Sequence, residues 1–267
     1  MALMAVWAVV LITYGVSTGF AVDFETGSGD VLPLDMAPNS VDDMYIGCKD
    51  EMLQAVVSKL EEEKSIDENF KKAWDGAENY YNNKWKKTIP KLGKNLVIAL
   101  YCWNFGAGNI HADLNNAVRS QKSEYKTTFR YHAFHFFLTD ALQTLNVRNP
   151  EAERCITGYR RVDKYFSQDV LNKEFRFGSF TSSSMGRYPN AKRFGNKSCF
   201  EIETCWGADI SMYSKFENEA EVLIPPYEVF KVTDIEKRSE DLPCEVVYKV
   251  KSTQRLLSNM NCAHSPE

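Results

Sequence analysis

Residues 218–230 read NEAEVLIPPYEVF: two carboxylates one residue apart, an apolar run, a Pro-Pro step and a second aromatic and β-branched run. The pattern predicts two short strands, over 219–224 and 227–233, with a short loop between them. Side chains two apart in a strand share a face, so Glu219 and Glu221 are expected to point the same way. Like charges so close resist joint ionisation, which suits them to divided roles in catalysis. A solvated strand face is the other reading of such a pair.

Outward from this stretch the chain changes character at Asn149-Pro150. Beyond it, further strands are predicted over 155–162, 175–184, 198–206 and 244–252, punctuated by Gly, Pro and Asn. Before it, from Ser40 to about Leu145, the sequence reads mostly as helix, opened by a capping pair of Ser40 and Asp43. Leu53, Val56, Val57 and Leu60 form one stripe, Phe70, Trp74, Ala77, Tyr81 and Trp85 a second. Phe134, Phe137, Leu138, Ala141, Leu142 and Leu145 form the strongest. Glu61, Glu62 and Glu63 read as a solvated helix face. Helices first and strands second favour α+β over an alternating parallel α/β fold.

The 267 residues are 44% hydrophobic and 25% charged with a net charge of −4, which fits a globular chain and argues against a nucleic-acid backbone as partner. P-loop and HExxH motifs are missing, and Gly106-Ala107-Gly108 lacks the third glycine of a dinucleotide fingerprint. His132 and His135 share a helix face and could ligate a metal, helix packing being the plainer reading. Residues 1–21 read as a secretory signal cleaved near Ala21, or as a retained anchor. The polar end SNMNCAHSPE carries no hydrophobic tail for a lipid anchor, so a soluble secreted protein without stable membrane insertion is expected. In that oxidising compartment disulfides are the default for the seven cysteines. Cys102, inside LVIALYCW, is the candidate for a buried thiol, and Asn196-Lys197-Ser198 is a glycosylation sequon.

Three β-half elements come in a telling order: GYRR at 158–161, FGSFTSSS at 177–184, and the ExE of 219–221. With DDMYIGC (42–48), AFHFFLTDALQ (133–143), ETCWGADI (203–210), the whole of EAEVLIPPYEVF (219–230) and SNMNC (258–262), this constellation resembles the R-S-E signature of the vertebrate arginine-specific ecto mono-ADP-ribosyltransferases. The resemblance runs over almost the whole chain after the leader. It implies one domain over 22–267, in which a helical part (40–150) packs on two small, mainly antiparallel sheets of a β part (151–262), with an NAD cleft between them.

By the same resemblance, Arg160 takes the place of the motif arginine and would hold the NAD phosphates. Ser182 would orient the nicotinamide ribose, Glu221 would be the catalytic glutamate, and Glu219 would select arginine as acceptor. NAD is the implied co-substrate, with no metal, and the implied partners are extracellular proteins with accessible arginines, met by a monomer. Two positions depart from the pattern: Arg161 replaces a glycine, and Ser183 a threonine. The first leaves open which of Arg160 and Arg161 faces the site and raises the alternative of a non-catalytic secreted binding protein; an NAD glycohydrolase of the same fold, expected if Glu219 were misplaced, is the other alternative. Tyr213 and Phe216, in the loop between Cys205 and Glu219, either contact the acceptor or pack the loop. The resemblance also implies disulfides Cys48–Cys262 and Cys155–Cys205, and elimination then pairs Cys199 with Cys244.

Overall fold

A computed structural model describes residues 31–85, 90–104, 107–147, 155–214, 220–237 and 242–263. The expected leader, Phe216 and Glu219 lie outside the described residues. Five helices precede the strands: α1 (Lys49–Ile66), α2 (Glu68–Lys84), α3 (Lys94–Asn104), α4 (Ile110–Ser120) and α5 (His132–Val147). They share one apolar core in which Phe70, Trp74, Phe134, Phe137 and Leu138 are buried, as their stripes predict. On α1 the buried row is instead Met52, Val56 and Leu60, and Leu53 and Val57 face outward at 46% and 57% exposure. Positions four apart form a continuous ridge on a helix, and once 52, 56 and 60 take the contact with the core, 53 and 57 rotate past its edge.

The acidic run is not wholly solvated either. Glu63 is buried and its Oε1 accepts from the amide of Ala133 at 2.7 Å, so a side chain of α1 caps the first turn of α5. Nor do Ser40 and Asp43 start a helix. The Ser40 hydroxyl donates to the carbonyl of Gly178, and Asp43 accepts from the amides of Tyr45 and Cys262 and the hydroxyl of Tyr125. Both are buried cross-links of an extended segment, and α1 begins only after Cys48.

The strands are β1 (Ile156–Val162), β2 (Glu174–Phe175), β3 (Thr181–Met185), β4 (Ser198–Thr204), β5 (Ala208–Asp209), β6 (Glu221–Ile224), β7 (Glu228–Lys237) and β8 (Val246–Leu256). The run over 175–184 divides into β2 and β3 because Gly178 takes φ +66°, with a Cβ there only 2.4 Å from that of Ala37. The strands pair in the order β2-β7-β8-β4-β1-β3-β6-β5, antiparallel except for β4 with β8. The join at β1 and β3 is narrow: it consists of Gly158↔Met185 and Tyr159↔Ser184. Two half-sheets therefore meet at this seam, β2-β7-β8-β4-β1 on one side and β3-β6-β5 on the other.

Disulfides link Cys48–Cys262, Cys155–Cys205 and Cys199–Cys244, and Cys102 is a buried free thiol. The first ties the segment before α1 to the segment after β8, beside a buried ion pair of Asp42 and Arg176 at 2.6 Å.

Candidate active site

Tight pairing between β1 and β3 ends at Tyr159↔Ser184, although both strands run on. Arg160 is the next residue of β1, and its Nη1 reaches over the seam to the carbonyl of Ser182 at 2.8 Å. Successive strand residues project to opposite faces, so Arg161 turns away. It is buried, donates to the carbonyls of Gly195 and Pro243, and lies over the ring of Tyr188. The sequence left open which arginine faces Ser182. Arg160 does, and the large side chain at 161 is accommodated on the far side of the strand.

Glu221 opens β6 directly opposite Ser184. Its carboxylate is buried, and Oε1 accepts two hydrogen bonds, one from the Ser182 hydroxyl and one from the indole Nε1 of Trp103 at 3.1 Å. Arg160, Ser182 and Glu221 are thus brought together. Glu219 is not among the described residues. Ala220, the residue before β6, has φ +46°.

A second cation stands next to the first. Arg119, in the last turn of α4, donates from Nη2 to Ser179 Oγ at 2.8 Å, and Asn115 one turn earlier donates to the carbonyl of Phe180. Both contacts hold the segment leading into Ser182. Burial lowers the Arg160 guanidinium to about 10, Arg119 pushes it the same way and Glu221 opposes them, so it stays charged at neutral pH. Two guanidinium groups beside one strand end form a cradle for an anion of more than one charge.

The turn at 204–207 that leads toward Glu219 is gripped from two sides. Glu228, buried in β7, accepts from the amides of Cys205 and Trp206 and from the hydroxyl of Thr204. Asn146 of α5 donates to the carbonyls of Cys205 and Gly207. Burial raises the Glu228 carboxyl to about 7. Tyr213 is buried against Trp85, at 6.4 Å between ring centroids, so it packs the loop instead of meeting an acceptor, and neighbouring Met212 is exposed. His135 is a packing residue: it bonds to the Tyr45 hydroxyl and the Val41 carbonyl, and burial lowers it to about 4. Among the described residues no group of three His, Cys, Asp or Glu side chains could hold a metal ion.

Trp103 and Arg119 went unnoticed in the sequence. For Trp103 a signal existed, since a tryptophan ending a buried apolar run needs an acceptor for its N–H. For Arg119 none did, because its partner Ser179 lies 60 residues away.

An arginine, a serine and a glutamate meet at the seam of two half-sheets, beneath a helical layer. The crystal structure of the eukaryotic mono-ADP-ribosyltransferase ART2.2 matches this fold with a TM-score of 0.71 at 32% identity, over 88% of this chain and all of that one. A variant of ART2.2 in complex with NAD matches with a TM-score of 0.70 at 33% identity, over 88% of this chain and all of that one. Ecto-ADP-ribosyltransferase 5 of Mus musculus is 34% identical over 88% of this chain and 76% of its own length. T-cell ecto-ADP-ribosyltransferase 1 of Mus musculus is 34% identical over 93% of this chain and 80% of its own. The family model of the NAD:arginine ADP-ribosyltransferases matches residues 34–251. The chain belongs to that family, and NAD is its co-substrate.

Proposed function

We propose that the chain is a secreted single-domain enzyme, acting as a monomer, that transfers ADP-ribose from NAD to arginine side chains of extracellular proteins and releases nicotinamide. The observation that carries the reading is the contact of Ser182 with Glu221 beside Arg160 at the seam. A site for this reaction must hold a diphosphate and stabilise a ribosyl cation. Arg160, with Arg119 near it, supplies the planar donors that phosphate oxygens take in pairs. Ser182 fixes the nicotinamide ribose by hydrogen bonding, and the Glu221 carboxylate lies where positive charge develops at the anomeric carbon.

The bond from that carbon to the nicotinamide nitrogen breaks first, its electron pair leaving with neutral nicotinamide through an oxocarbenium-like transition state. A guanidinium nitrogen of the acceptor then bonds to the same carbon and its proton passes to Glu219. Arginine is protonated at neutral pH, so the acceptor reaction needs this second carboxylate. Without it water takes the cation and NAD is merely hydrolysed. The grip of Glu228 and Asn146 on the turn at 204–207 supports the reading by fixing where the acceptor loop leaves the sheet. Three disulfides, the leader-like residues 1–21 and the ecto-enzyme names of the relatives support an extracellular site of action.

The test is incubation of the purified protein with labelled NAD, with and without agmatine. Wild type is expected to form ADP-ribosyl-agmatine, Glu221→Ala to lose nicotinamide release by about 100-fold or more, and Glu219→Ala to retain only hydrolysis. A wild type that releases no nicotinamide under either condition would overturn the proposal.

A further inference from the structure

The indole of Trp103 couples the helical layer to the proposed catalytic carboxylate. Trp103 is the penultimate residue of α3 and is 5% exposed, and its Nε1 donates to Glu221 Oε1 across 118 positions of sequence. The ring is held edge-on by Phe180 and His111, with centroids 6.0 and 5.9 Å away. Phe180 in turn packs against His135 of α5. The indole plane therefore has little freedom, and neither does the direction in which its N–H points.

Ser182 and Trp103 converge on the same oxygen of Glu221 from different layers, Ser182 from β3 and Trp103 from α3. Two donors on separate rigid elements fix the position of that oxygen more tightly than one donor would. We propose that Trp103 is a positioning residue for ADP-ribosyl transfer, holding the Glu221 carboxylate in the orientation that meets the ribosyl cation. The inference rests on the reading of Glu221 given above. It assigns to the indole N–H a role that the ring's packing alone would not supply.

Trp103→Phe keeps an aromatic ring in the core and removes the donor. With the wild-type reaction as reference, kcat for nicotinamide release is expected to fall at least about tenfold, with KM for NAD changed by less than about twofold, since the phosphate-binding arginines are untouched. The carboxylate loses a donor to its charged form, so the acid limb of the kcat–pH profile moves to higher pH. A purely structural tryptophan would leave that limb where it was. An unchanged kcat together with an unchanged acid limb would overturn the inference. Should Trp103→Phe fail to fold, the indole N–H resonances of nitrogen-15-labelled wild type and Glu221→Gln decide it. One indole signal shifted well beyond the others supports the contact, and none shifted overturns it. No turnover in wild type would count against the transferase reading, and the indole spectra would then judge the contact by themselves.

Discussion

Replacing Asp42 with alanine tests what holds the segment before α1 to the segment after β8. Its carboxylate is fully buried and accepts from Arg176 Nη1 at 2.6 Å, from the amides of Asn259 and Met260 at 2.8 and 3.0 Å, and from Asn259 Nδ2 at 3.1 Å. Three further donors of Arg176 go to the carbonyls of Met36, Ala37 and Leu257. Asp42→Ala leaves a buried guanidinium without its counter-charge, a loss of about 3–5 kcal/mol. At roughly 2–4 °C per kcal/mol for a domain of this size, Tm should fall by about 6–20 °C. The double variant Asp42→Leu/Arg176→Met removes both charges and should recover part of the loss. It cannot recover all of it, because the amides of Asn259 and Met260 still lack an acceptor. Thermal unfolding and urea titration of wild type, Asp42→Leu, Arg176→Met and the double variant, disulfides intact, make a double-mutant cycle. A fall of less than about 2 °C in Asp42→Ala would refute the reasoning.

Two further perturbations follow from buried groups at the seam and in the core. Burial raises Glu63 to about 8 and Glu228 to about 7, so each keeps in the folded state a proton that the unfolded chain releases near its ordinary value of 4.5. Stability then falls as pH rises through those values, for Glu228 by on the order of 3 kcal/mol in all. His135, lowered to about 4, works in the opposite sense up to its ordinary value of 6.5. The clean window is therefore above that value: the urea midpoint should decline from about pH 6.5 to 8, Glu63→Gln should remove most of the decline, and Glu228→Gln the smaller part below about pH 7. A midpoint that rises with pH there contradicts the assignment. At Gly158 an added Cβ would lie 2.2 Å from Ser183 Oγ, across the narrow join of β1 and β3. Gly158→Ala should lose about 1–3 kcal/mol and raise KM for NAD by displacing Arg160, which a denaturation curve and steady-state kinetics would read directly.

Order of elements and chemical type were legible in the chain itself. Helices before strands could be read because a 3.6-residue period and a two-residue period are written into nearest neighbours, and tertiary contacts reinforced both. The arginine, the serine and the second glutamate could be proposed as site residues because each sits in a local motif whose resemblance reaches across the β half. Where the reading went astray, a distant partner had overridden a local preference. Glu63 left the solvated face because an amide of α5 needed an acceptor, and Ser40 and Asp43 gave up capping for contacts with Gly178 and Cys262. Leu53 was given to the core by a pattern that could not know which ridge of α1 would meet it.

What only the tertiary structure decided is the site's geometry. Arg160 and Arg161 are adjacent letters, and only the seam shows that one reaches Ser182 while the other is sealed behind the strand. Trp103 and Glu221, 118 residues apart, share a hydrogen bond that no local pattern could announce. Local sequence carries propensity, period and motif. The partner of a buried polar group is chosen by whichever element the collapsed chain brings within about 3 Å, and that is a property of the packed whole.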